Sequence, residues 1–329
     1  MTIKNLLNRI RLNLRAARLA LAGRWLMPSD VAASYDALAT TYQTNWLAHL
    51  CRTTDRLHEL LPVNDSPAVH KPMRVIDLGC GTGYSTAFLA KQYPTASITA
   101  VDISGEMLQI AARSVSDGFE TPVDHQSENS VITPEYRLHS GFYYGGHGVT
   151  TLPLIQFIQN DMQRFLESQP GQSCDLIFSA WAIGYSVPAK IIAESRRVLR
   201  PGGTLAVIVN RLGTMPAVFA AFRKTMRAFP ASLEKALWPR FPRNAAEIES
   251  HLKRHPFQVQ SLEEGVVPIT PPEPGKRLEW LLGTGILAGF DAVLPLRESV
   301  EIRRFFEREL DTATTGWEHH YVMFVAMPK

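Results

Sequence analysis

The stretch Val75-Ile76-Asp77-Leu78-Gly79-Cys80-Gly81-Thr82-Gly83 constrains the fold of this chain more than any other. Its short apolar run reads as a buried strand, and glycines at alternate positions follow at once. A glycine loop that leaves the C-terminal end of a strand and opens a helix lets a ligand approach the main chain, because there is no Cβ in the way. The pattern is G-x-G-x-G. It is neither the G-x-G-x-x-G of a dinucleotide site nor the G-x-x-x-x-G-K of a phosphate loop, and it offers no lysine. The charge beside it is the carboxylate of Asp77. That acid would repel a pyrophosphate and attract an ammonium or sulfonium group.

From residue 74 onward strands alternate with helices. Apolar or β-branched runs at 74–78, 97–102, 154–159, 176–180 and 204–209 predict strands, and helical periodicity marks 85–92, 105–114 and 190–199. The last of these helices stops at Pro201-Gly202-Gly203. Residues 257–263 and 319–329 predict a closing pair of strands. Strands that alternate with helices imply a parallel sheet covered on both faces, an α/β architecture. In such sheets ligands bind at the carboxyl ends of the strands. Three acids sit there: Asp77, then Asp102 nineteen residues beyond Gly83, then Asp161. The position of Asp102 suits a carboxylate that binds ribose hydroxyls, and Asp161 could accept from an adenine amino group. Either acid read alone is also a helix N-cap.

Together, "VIDLGCGTGYSTAFLA", "ITAVDIS", "FIQNDM", "CDLIFSAWAI" and "RVLRPGGTLAV", in that order, resemble the class I S-adenosylmethionine-dependent methyltransferases. The closest type is the small-molecule group that includes the ubiquinone and menaquinone C-methyltransferases. The resemblance runs from 74 to 210. It implies a Rossmann-like, doubly wound seven-stranded sheet, mostly parallel with an antiparallel last strand, carrying helical lid insertions and an N-terminal helical extension. It implies S-adenosyl-L-methionine as cofactor and S-adenosyl-L-homocysteine as product. By the same resemblance Asp77, Gly79, Cys80, Gly81 and Gly83 would surround the methionine part. Asp102 would bind the ribose, Ile103, Asp161 and Met162 the adenine, and Asn160 would be a further cofactor contact. Ser179 and Ala180 would line the edge of methyl transfer. Met107 is read either as an adenine contact or as core. Tyr35 and Tyr42, in "SYDALATTYQ", match a segment that closes over the cofactor in this group; plain packing is the other reading.

The acceptor side is less determined. Methyl transfer needs the acceptor held in line, and a base only where a proton must leave. Where many relatives carry two histidines after the fourth strand, this chain has "SAWAIGYS". Trp181 and Tyr185 then offer an aromatic wall, suited to an apolar or planar acceptor. His147, Tyr185 and His319 are weak candidates for a base, with His320 alternating in face with His319. Phe219, Phe222, Trp238, Trp280, Leu281 and Phe290 come from lid segments; Phe219 and Trp280 are the pocket candidates. No His/Cys/Asp/Glu spacing suggests a metal. The expected chemistry is methylation of a small lipophilic or aromatic molecule at carbon or oxygen. A cofactor-binding relative that does not methylate, such as a cyclase, is the alternative, and an RNA methyltransferase a remoter one.

Domain bounds follow from these motifs. Residues 1–72 read as a helical extension that ends in a polar linker. Residues 73–329 read as the methyltransferase domain, interrupted at 115–153, 211–255 and 268–312. The chain has 329 residues and a net charge of +3, which suggests no polyanion partner, and nucleic acid is not expected. Residues 1–27, however, hold Lys4, Arg9, Arg11, Arg15, Arg18 and Arg24 and no acid, so the remainder sums to −3. They alternate with leucines at helical spacing. A docking helix, a membrane-surface helix and an Arg-rich presequence are all compatible with that pattern. Three scattered cysteines suggest a reducing, cytoplasmic setting, with peripheral membrane contact through 1–27 left open. The apolar run 280–290 is about half of what a membrane span needs.

Overall fold

Eight strands make one mixed sheet in the computed structural model, which describes residues 3–62, 72–116, 136–137, 154–237 and 240–329. They are β1 (Arg74–Leu78), β2 (Ser97–Asp102), β3 (Tyr136–Arg137), β4 (Leu154–Gln159), β5 (Cys174–Ala180), β6 (Leu199–Asn210), β7 (Phe257–Pro268) and β8 (Glu318–Pro328). Their order across the sheet is β3-β4-β2-β1-β5-β6-β8-β7. β1 lies parallel between β2 and β5, β2 pairs parallel with β4, and β5 with β6. β3 has two residues and runs antiparallel to β4 at the edge. Apart from β3, the sheet has the seven strands that the sequence predicts. Just past β6, the Arg211 and Met215 N–H groups donate to the His320 and Glu318 carbonyls. One chain rises in number as the other falls, so the last strand runs opposite to β6.

The strand sequences account for this order. β1 and β5 bury almost every side chain, and β2 has none fully exposed, as parallel strands covered on both faces must. Leu78, Ile177, Leu205, Val207 and Phe324 join one apolar core with Phe165, Ile191 and Leu252 from the covering helices. The Pro201-Gly202-Gly203 segment does not end before the strand. β6 begins at Leu199 and the register slips opposite Cys174–Leu176, so the turn is an irregularity inside a longer strand.

The helices are α1 (Ile3–Leu21), α2 (Pro28–Tyr42), α3 (Ala48–Glu59), α4 (Tyr84–Gln92), α5 (Gly105–Ser116), α6 (Met162–Ser168), α7 (Pro188–Val198), α8 (Pro216–Ala228), α9 (Ala245–Arg254), α10 (Arg277–Leu282) and α11 (Val300–Asp311). A π-helical turn, Gln43–Leu47, links α2 to α3. The chain divides into two compact units. A helical unit takes Met1–Leu50, Asn210–Arg243 and Gly265–Tyr321; a sheet unit takes Cys51–Val209, Asn244–Glu264 and Val322–Lys329. These compact units meet between residues 50 and 51, and most of the polar segment 62–72 lies outside the described residues. α9, read from sequence as part of a lid, belongs to the sheet unit and packs on α7.

Candidate functional site

Hydrogen bonds at the carboxyl ends of β1 and β2 fix the glycine loop. The Gly79 and Cys80 N–H groups donate to the Val101 carbonyl at 2.7 and 3.0 Å. The Gly81 N–H donates to Asp102 Oδ2 at 2.9 Å, while Asp102 Oδ1 accepts from the Ser104 N–H at 2.9 Å. Asp102 is thus held in plane beneath the loop, and its main chain also accepts from the Asn160 N–H at the end of β4. Ser104, not Asp102, caps α5: its Oγ accepts from the Met107 N–H.

The three glycines are needed for different reasons. Gly79 has φ +70°, and a Cβ there would stand 2.2 Å from Ala182 Cβ and 3.8 Å from Met162 Cε. A Cβ on Gly83 would meet the Ala111 backbone at 3.0 Å, so Gly83 lets α4 approach α5. At Gly81, φ is +54° and nothing lies within 4 Å. Of the three, Gly81 is the one whose missing Cβ opens onto free space, and there the backbone is bare for a ligand.

Asp77 is fully buried at the base of this loop. Thr86 Oγ1 donates to its Oδ2 at 2.6 Å, and its Oδ1 has no hydrogen-bond partner among the described residues. Burial, and next the charge of Asp102, push its carboxyl up to about 7, against a downward pull from the Thr86 hydroxyl. A buried carboxylate oxygen left unpaired costs free energy, on the order of 1–3 kcal/mol or more for a charged group, unless a ligand satisfies it. The residues fit the cationic end of S-adenosyl-L-methionine on that observation. Cys80 is buried and its thiol is raised well above its ordinary range, chiefly by burial, so it is a packing residue of the loop.

The remaining candidates divide. Asp161 is the N-cap of α6: Oδ1 accepts from the Gln163 and Arg164 N–H groups, both at 3.0 Å. The N-cap reading holds, and the sequence does not announce the short helix behind it. Ile103, Asn160, Met162 and Ala180 are partly exposed at the same strand ends. Met107 takes the second of its two readings: it is core, 1% exposed. Two assignments need correction. Ser179 is fully buried, and its hydroxyl donates to the Leu78 carbonyl at 2.7 Å, so it ties β5 to β1 and does not line an open edge. Trp181 is buried too, with its indole N–H donating to Thr54 Oγ1 on α3 at 3.0 Å. It anchors α3 and forms no open wall. Its φ of +64° is uncommon for a bulky residue and marks strain directly after β5. Tyr185 follows in a 3₁₀ turn, half-buried.

In the helical unit, Tyr35 and Tyr42 stand edge to face at 6.2 Å. Phe219 packs on Phe290 at 5.0 Å, within the aromatic core that Phe222 and Phe306 share, so it is lid packing. Trp280 lies 6.0 Å from Trp46, 5.9 Å from His49 and 6.4 Å from Trp317. His319 is buried against Trp46 and shares a hydrogen bond with Asn210 Oδ1. Burial and its histidine neighbours push it down to about 3, so it is a weak base at neutral pH and a poor catalytic candidate. His147 and Trp238 lie outside the described residues.

Sequence reasoning missed Trp46, His49 and His58. His58, on α3, stacks on Phe88 at 3.9 Å and 3°, and its Nε2 lies 3.1 Å from Ser85 Oγ in the first turn after the glycine loop. Burial pushes it down to about 4, so it is neutral at neutral pH. Tyr84 donates to Asp55 Oδ1 at 2.6 Å beside it. Nothing in one dimension pairs α3 with α4. Among the described residues no group of three His, Cys, Asp or Glu side chains could hold a metal ion.

Two family models, both described as "Methyltransferase domain", match residues 75–132 and 144–207. These matches cover the glycine loop and the ends of β2, β4 and β5. The segments 75–132 and 144–207 thus match methyltransferase-domain models, which supports a class I methyltransferase that uses S-adenosyl-L-methionine. Malonyl-[acyl-carrier protein] O-methyltransferase of Halalkalibacterium halodurans is 28% identical over 46% of this chain and 44% of its own length. Trans-aconitate 2-methyltransferase of Azoarcus sp. is 28% identical over 67% of this chain and 70% of its own. The chain thus spans less than half of the first relative and about two thirds of the second. Among solved structures, geranyl diphosphate C-methyltransferase of Streptomyces coelicolor A3(2), in complex with Mg2+, geranyl diphosphate and S-adenosyl-L-homocysteine, is similar with a TM-score of 0.42. It is 11% identical over 85% of this chain and 77% of that one.

Proposed function

We propose that this chain transfers a methyl group from S-adenosyl-L-methionine to a small lipophilic or aromatic acceptor, at carbon or oxygen. The observation that carries the reading is Asp77 Oδ1, a buried carboxylate oxygen without a partner among the described residues, beneath a loop that is bare at Gly81. The cofactor brings an electrophilic methyl group on a sulfonium centre. Asp77 would hold its ammonium group, and the Gly81 main chain would border its amino-acid part. Asp102, fixed by Gly81 and Ser104, would accept from the ribose hydroxyls, with Ile103 and Met162 flanking the adenine. Asp161 accepts two backbone bonds on Oδ1 alone, which leaves Oδ2 to meet the adenine amino group.

A weak base set supports positioning as the main source of rate. The described histidines nearest in kind to a base, His58 and His319, are buried and neutral. Among the described residues this set fits an acceptor that needs little deprotonation. The aromatic residues that the sequence places in the lid segments 211–255 and 268–312 support a planar or apolar acceptor. The names of two relatives supply the competing class, acids such as trans-aconitate or a malonyl thioester.

Incubation of the full chain with methyl-labelled S-adenosyl-L-methionine and a panel of phenols, quinols, prenyl diphosphates and di- and tricarboxylates tests the reading. Label should enter a lipophilic or aromatic member, with one S-adenosyl-L-homocysteine formed per methyl transferred. Transfer only to the small acids would overturn the acceptor class. Conversion of an acceptor without S-adenosyl-L-homocysteine would overturn methyl transfer itself.

A further inference from the structure

α1 has two apolar faces, and its own unit uses only one of them. At 100° per residue, Asn8, Leu12, Ala16 and Leu19 share a face. Leu19 is buried there, and the helix packs on α8 and on the turn Pro230–Ser232. Arg15 fixes the docking by donating from Nε to the Leu233 carbonyl at 3.0 Å. The segment after the helix is strapped down as well, with the Leu26 N–H on the Ala236 carbonyl and the Ala236 N–H on the Arg24 carbonyl. α1 is therefore a fixed part of the helical unit.

The opposite face is exposed. Leu6, Leu7, Ile10 and Leu14 are each between 44% and 55% exposed, and Leu21 is 90% exposed. They fall within an arc of about 100° on the side away from Leu19. Arg11 and Arg18 flank this arc on one edge and Arg9 on the other, all exposed. Trp25 and Met27, just beyond the helix, are 39% and 51% exposed. A water-facing helix gains nothing from such a stripe, and single exposed leucines would not line up this way.

We propose that this face lies on an anionic membrane surface, with the helix in the plane of the interface. Residues 1–27 carry six cations and no acid, while the rest of the chain is net negative, so attraction to anionic headgroups is concentrated on this helix. An apolar stripe bordered by arginines, with a tryptophan at its end, is the arrangement that buries leucines among acyl chains while the guanidinium groups stay among phosphates. A second copy of the chain is the weaker occupant, because pairing two such faces would bring together Arg9, Arg11 and Arg18 of both copies, six cations with no acid from residues 1–27 to offset them. No helix among the described residues is long and apolar enough to cross the membrane, so the contact is a surface one. This inference is independent of the methyl-transfer reading, since α1 contains none of the residues assigned to the cofactor.

Co-sedimentation of the full chain with vesicles tests it. One preparation is phosphatidylcholine alone; the other contains roughly a third phosphatidylglycerol. The protein should pellet with the anionic vesicles, less so as salt is raised, and only weakly with the neutral ones. Ile10→Glu/Leu14→Glu and, separately, Arg11→Glu/Arg18→Glu should each lower partitioning at least about tenfold. All four positions are exposed, so thermal unfolding should not move; circular dichroism checks that. Wild-type protein that stays in solution with anionic vesicles overturns the proposal. So does equal partitioning of wild type and variants. A wild-type dimer that Ile10→Glu/Leu14→Glu disperses, without vesicle binding, makes the stripe a self-association face instead and likewise overturns it.

Discussion

Asp77 is the residue on which the cofactor assignment turns. The sequence shows an acid where a phosphate site would not tolerate one; the structure adds that one of its oxygens is unpaired and that its carboxyl is raised to about 7. Thr86, Asp102 and Cys80 are the polar neighbours that act on it or feel its charge. A cationic ligand favours the ionised form, so affinity should fall as pH drops through about 7. Between pH 7.5 and 5.5 the loss should reach about tenfold or more, because one unit below its pKa only about a tenth of the carboxyl is ionised. Asp77→Asn keeps the shape and the Thr86 contact, and should weaken binding at pH 7.5 by about tenfold, ~1.4 kcal/mol, and flatten this profile. Calorimetry of S-adenosyl-L-methionine binding across pH checks both; a profile identical in wild type and variant would contradict the role. Other residue roles were less legible. Ser179 and Trp181 stand next to the strand end as expected, but which way each side chain points depends on Leu78 and Thr54, about 100 or more residues away in the chain.

At the scale of elements, the strands were legible wherever apolar runs are short and bounded. β1, β2 and β4 have the predicted limits. β6 is longer than predicted because pairing with β5 carries it through Pro201-Gly202-Gly203, a tertiary effect. α6 was missed because its cap, Asp161, read equally well as a ligand contact, and the helix has only seven residues. The glycine loop was legible as a motif, whereas the separate duties of its glycines were not. Those duties predict different mutants. Gly79→Ala places a Cβ on Ala182 Cβ and also strains φ, so it should destabilise the fold clearly, by about 2 kcal/mol or more. Gly81→Ala meets no atom and carries the backbone strain alone, about 1–2 kcal/mol, yet should reduce cofactor affinity because its methyl group occupies the open side of the loop. Denaturant unfolding and calorimetry on the two variants separate these effects. Equal losses of stability, or unchanged affinity in Gly81→Ala, would contradict the assignment.

For the whole molecule, the alternation of strands and helices was legible in sequence, whereas the order of the strands across the sheet and the division into units were not. The polar stretch at 62–72 looks like a boundary in sequence, but α3 belongs with the sheet unit. His58 stacked on Phe88 and Trp181 bonded to Thr54 hold it there. The helical unit is assembled from three separate stretches of chain, joined by contacts such as Ser34 Oγ on Asp291 and Phe222 against Phe306, which no local pattern reveals. The account's central claim is that the glycine loop with Asp77 and Asp102 selects a cationic nucleoside cofactor over a pyrophosphate one. Isothermal titration of the full chain at pH 7.5 with S-adenosyl-L-methionine and, separately, with a nicotinamide dinucleotide tests it most directly. The prediction is saturable one-to-one binding of S-adenosyl-L-methionine and no measurable binding of the dinucleotide. Binding of the dinucleotide with none of S-adenosyl-L-methionine would contradict it.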